Sequence, residues 1–75
     1  MKYSDGNSIL LGDKVRYNNQ AGTIVLLDDV SVDSERFDPA KWAVIKGGLL
    51  IEFDNGALLH LDESDSLLRL SARAL

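Results

Sequence analysis

The chain has 75 residues, twelve acidic against eight basic, no cysteine, and a formal net charge of −4. A chain this short makes one domain, residues 1–75, whose core is thin because only about 60% of the unfolded surface leaves water at such a size. The composition excludes disulfide staples and thiolate metal centres. No apolar run reaches the ~20 residues that span a bilayer, Met1 to Ser8 lacks the apolar stretch of a secretory signal, and the acidic excess opposes the counterion release that drives nucleic-acid binding. A cytoplasmic protein with no membrane or nucleic-acid partner is therefore expected.

In chain order, Ser4-Asp5-Gly6-Asn7 carries turn chemistry, since Asp and Asn bond their own backbone and Gly accepts positive φ. Leu11-Gly12-Asp13 then leads into a first strand over Lys14 to Tyr17, where Val15 and Tyr17 alternate with charged Lys14 and Arg16. Asn18-Asn19-Gln20 suits left-handed backbone and predicts a turn. A second strand follows from Gly22 to Leu27, with Gly22 at a bend and the continuous run Ile24-Val25-Leu26-Leu27 of a central strand.

From Asp28 to Lys41 the periodicity fails, and an extended polar loop is predicted. Asp38 to Gly48 has the grammar of one short helix: Asp38 caps, Pro39 takes the first position, Lys46 suits the C-terminal dipole, and Gly47 or Gly48 terminates. Leu49 to Phe53 and Ala57 to Leu61 form a hairpin on Asp54-Asn55-Gly56, through a type I′ pair or a slightly longer loop ending in left-handed glycine. Glu52 and His60 are expected to face each other across the two-residue version. A turn over Asp62 to Asp65 leads to a closing strand, Ser66 to Leu70. The expected fold class is mainly β: a small barrel or half-barrel of about five antiparallel strands with one short helix in an insertion.

The segment Leu11 to Leu27, with Gly12-Asp13, a short curled strand and Gly22-Thr23-Ile24-Val25, resembles the opening hairpin of SH3-like small barrels, including those with a KOW motif. That resemblance implies an SH3-like barrel over residues 1–75 and, for KOW relatives, a nucleic-acid role. Against that role, the basic residues Lys14, Arg16, Lys41, Lys46, Arg69 and Arg73 are scattered. Across the whole chain, Tyr3-Ser4-Asp5-Gly6, Gly12-Asp13-Lys14-Val15, the Trp42 segment and Gly48-Leu49-Leu50-Ile51-Glu52 resemble small uncharacterised bacterial proteins, some of toxin-immunity neighbourhoods. The latter implies an immunity-like binding protein with no catalytic residue.

The residue inventory points the same way. Catalysis near neutral pH usually draws on His or Cys, and here there is one histidine, His60, flanked by Leu59 and Leu61. No Gly-x-Ser-x-Gly elbow surrounds any serine, and Gly47-Gly48 follows the expected helix rather than preceding it, the wrong end for an anion. No enzyme, cofactor or metal centre is expected. Asp28, Asp29, Asp33, Glu35 and Asp38 crowd one stretch without the spacing of a calcium loop. They read as a solvated acidic loop, as a weak divalent-cation contact, or as an acidic face for a basic protein partner, and the last is the expected site. Trp42 is either core or an anchor at that face. The expected function is a non-enzymatic protein-interaction module, most concretely an acidic inhibitor or immunity-like protein. A KOW-like nucleic-acid module and a self-associating structural subunit are the alternatives, and the oligomeric state is open.

Overall fold

Asn18 and Asn19 lie at φ 50° and 69°, left-handed values that asparagine tolerates better than most residues, and they make the two-residue turn of a tight hairpin. Flanking it are β1, Lys14–Tyr17, and β2, Gln20–Leu27, paired antiparallel with Tyr17 opposite Gln20. The computed structural model describes residues 2–28, 30–33, 35–36, 48–62 and 66–72. Four further strands join the hairpin: β3, Val30–Ser31; β4, Leu49–Phe53; β5, Leu58–Leu61; and β6, Leu68–Ala72. All pair antiparallel in one sheet of order β5-β4-β2-β1-β6, with β3 attached to β2.

The long strand β2 organises the sheet. One of its edges pairs with β4 from Gly22 to Leu27, while the other carries β1 along Gln20 to Thr23 and then β3 at Leu26 and Leu27. A register shift between Ile24 and Leu26 makes Val25 a bulge. Such an extra residue bends a strand and increases its twist, which lets one strand serve two neighbours along one edge. Gly22 sits between Val15 of β1 and Phe53 of β4. A Cβ there would meet Ile51 Cγ2 at 2.7 Å and the Glu52 carbonyl oxygen at 2.9 Å, so the close approach of β4 requires glycine.

Alternation sends Val15, Ile24, Leu49, Ile51, Phe53 and Leu68 to one face, where they join Tyr3 and Ile9 in the main core. Burying each aliphatic side chain is worth roughly 1.5–3 kcal/mol, the main return available to so small a domain. The segment before β1 is held by a buried carboxylate. The Tyr3 hydroxyl donates to Asp13 Oδ2 at 2.6 Å, and the Leu10 amide donates to the same oxygen at 3.0 Å. Asp13 is only 1% exposed, so these donors replace water at a charge that burial would otherwise make costly. Val25, Leu26 and Leu50 form a second buried cluster.

Several expectations need correction. The sheet is mainly β and antiparallel as expected, but the described residues hold six strands rather than five, because β2 turns back at Asp28, φ 47°, into β3 within the predicted polar loop. It is also open: the strand path ends at β5 and β6, and no ladder among the described residues closes it into a barrel. No helix occurs among the described residues, and the helix predicted from Asp38 lies outside them except for Gly48, whose φ is 77°. Glu52 faces Leu58, and His60 faces Leu50. Neither turn length gives a Glu52–His60 pair: a two-residue turn on Asn55-Gly56 sets Glu52 opposite Leu59, and the loop actually formed has three residues, Asp54, Asn55 and Gly56, with Phe53 N donating to Ala57 O at 2.8 Å and Gly56 at φ 90°.

Candidate functional site

Three of the six residues expected to meet a partner are described, and they surround β3. Asp28 is exposed at the turn from β2 to β3, where its amide donates to the Gly48 carbonyl at 3.1 Å. Asp33 is half-buried and bound into its own loop. Its Oδ1 accepts from the Glu35 and Arg36 amides at 3.0 and 3.4 Å, while its amide donates to Ser31 Oγ at 3.1 Å. That is local turn chemistry, which shapes the backbone and occupies one oxygen of Asp33 within its own loop. Glu35 is exposed, and the next residue, Arg36, forms an ion pair with Glu52 of β4. Asp29, Asp38 and Trp42 lie outside the described residues.

Between these carboxylates stand two valines that sequence reasoning passed over. Val30 is 58% exposed and Val32 47%, although the Val32 amide is anchored to the Val25 carbonyl at 3.0 Å. The β2–β3 hairpin therefore presents apolar side chains on fixed backbone beside Asp28 and Glu35. The signal was present in sequence as Val-Ser-Val between acidic residues, but with no recognised strand it had no face to belong to.

A second surface lies on the other side of the chain's charge balance. Arg16 of β1 is directly opposite Arg69 of β6, and both are exposed. They border a cleft of about 400 Å³ that Asn18, Asn19, Ser66 and Ser71 also line. A smaller cleft of about 220 Å³ lies by Gln20, Phe53 and Asp54. His60 is half-buried, with its Nδ1 3.7 Å from Asp62 Oδ1. Among the described residues no three His, Cys, Asp or Glu side chains gather closely enough to hold a metal ion, and no helix is long and apolar enough to cross a membrane.

Among the described residues, the fold and these surfaces define a small, open, antiparallel β-sheet protein with an acidic-apolar hairpin and a cleft bordered by two arginines. No protein-family model matches the chain, and its comparison with curated proteins and with solved structures gives no match.

Proposed function

We propose that this chain is a non-enzymatic protein-interaction module, an acidic, immunity-like inhibitor that binds a basic protein through the β2–β3 hairpin. The observation that carries this reading is the pair of exposed valines, Val30 and Val32, beside the carboxylates of Asp28 and Glu35. Apolar groups on a constrained backbone give a contact that resists dissociation, while surrounding charge of one sign steers an oppositely charged partner and raises the association rate. The net charge of −4 acts in the same direction. The return of β6 to β1 and the bulged, two-neighbour strand β2 support a small-barrel kinship of the SH3-like kind, a scaffold type on which binding surfaces vary. Asp29, Asp38 and Trp42, which lie outside the described residues, are included in the proposal on their place in the sequence alone.

The test begins by capturing a basic protein on the immobilised chain, identifying it, and measuring association and dissociation with the purified pair. Asp28→Asn with Glu35→Gln is expected to slow association, more so at low salt where screening is weakest. Val30→Ser with Val32→Ser is expected to speed dissociation while leaving the thermal melt unchanged. A partner whose kinetics ignore both pairs of substitutions in a folded protein overturns the proposal, as does failure to retain any basic protein.

A further inference from the structure

Arg16 and Arg69 are direct cross-strand partners. Side chains so placed start about 5 Å apart, and like charges there destabilise the sheet. Both side chains leave the sheet from the same face. Their neighbours Val15, Tyr17, Leu68 and Leu70 belong to the core or pack against it, so the pleat holds both arginines on the outward face. Lys14, two residues along β1 and also exposed, adds a third positive charge on that face.

The surrounding chain makes this concentration more pointed. Carboxylates outnumber cations twelve to eight, yet neither Arg16 nor Arg69 has one as an ion-pair partner among the described residues, whereas Arg36 pairs with Glu52. Arg16 is instead oriented by its own hairpin, Nη1 donating to the Asn19 carbonyl at 3.4 Å. The cleft these arginines border, about 400 Å³, has the size of a small-molecule site. Its other walls are the side chains of Asn18, Asn19, Ser66 and Ser71, which carry hydrogen-bonding groups, and those of Leu67 and Leu70, with both asparagines in a left-handed turn.

We propose that the β1–β6 cleft binds a dianionic phosphoryl group carried by a small molecule, with Arg16 and Arg69 as its two-sided clamp. A carboxylate has two oxygens and is satisfied by one guanidinium fork, leaving the second arginine unpaired. A phosphoryl group presents three terminal oxygens and nearly two charges, enough to engage both forks and to cancel their mutual repulsion. A polynucleotide fits less well, because a contact built on so few cations releases few counterions and the whole chain repels a polyanion. The site is separate from the hairpin surface proposed above and stands or falls independently of it.

The experiment is a titration of the isotope-labelled protein, followed by backbone amide resonances, with glycerol 3-phosphate and inorganic phosphate, and with acetate and a single-stranded oligonucleotide as controls. Saturable shifts at Arg16, Asn18, Asn19 and Arg69 are expected with either phosphate, with Kd on the order of 1 mM or tighter. Acetate should bind at least tenfold more weakly. Arg16→Gln and Arg69→Gln should each weaken glycerol 3-phosphate binding by about tenfold or more, the loss expected for a charge-assisted hydrogen bond. Arg16→Lys, which keeps the charge without the fork, should fall between. Without ligand, the two glutamine variants should melt at or above the parent temperature, because they relieve the opposition of like charges. Shifts spread evenly over every surface cation, acetate binding equal to phosphate, or glutamine variants that keep their affinity would overturn the proposal. So would melting temperatures lowered by both glutamine substitutions, which would make the pair structural. Oligonucleotide binding far tighter than glycerol 3-phosphate, with a steep salt dependence, would replace it with a nucleic-acid site.

Discussion

Tyr3 and Asp13 show how much of a small fold can depend on one buried charge. Asp13 Oδ2 takes hydrogen bonds from the Tyr3 hydroxyl and the Leu10 amide, fastening the segment before β1 over the core. Removing a donor from a buried carboxylate typically costs about 1–3 kcal/mol. Tyr3→Phe should therefore lower stability in urea denaturation by that amount, and Asp13→Ala by more, because it also strands the Leu10 amide. At Gly22 the constraint is steric. The Glu52 carbonyl that an added Cβ would meet is backbone in a paired strand and has no easy way to move. Gly22→Ala is expected to cost about 1–3 kcal/mol, the usual range for overpacking, read as a lower denaturation midpoint with an unchanged slope.

Among the elements, legibility followed local chemistry. Lys14–Tyr17 and Leu49–Phe53 are strands with the bounds their alternation and apolar runs predict, and Asn18-Asn19 turns in the left-handed region as asparagine invites. That turn is testable. Asn19→Val places a β-branched residue at φ 69° and should destabilise by about 1–2 kcal/mol in thermal melts, whereas Asn19→Gly should not. Strand β3 was invisible because two residues show no periodicity, and Asp-Asp is a weaker turn signal than the Asn-Gly pairing that marks β4–β5. The missed register of that second hairpin has the same origin. Asn55-Gly56 fits a two-residue turn, which sets Glu52 opposite Leu59, and a three-residue turn, which sets it opposite Leu58; the Phe53–Ala57 hydrogen bond belongs to the second. Arg16 and Arg69 were read as scattered cations because pairing between strands distant in sequence leaves no trace in either segment. The carboxylates around β3 were legible as a cluster, but not the use of Asp33 in its own turn.

For the whole molecule, the sheet order predicts a far-ultraviolet spectrum dominated by strand, and a helical spectrum would contradict the fold. Its connectivity also sets a schedule. The β1–β2 hairpin is local and can form as soon as its residues are available, but the partner on the far edge of β1 is β6, more than fifty residues further along the chain. Chains dominated by such distant pairings fold in milliseconds to seconds, so refolding after rapid dilution from urea should fall in that range rather than in microseconds. During synthesis the interval is longer. Until Leu68–Ala72 has emerged, β1 is a bare strand edge, the kind of surface along which two nascent chains join. Lys14 and Arg16 are spaced along that waiting edge, and charges so placed deter a second chain from pairing there.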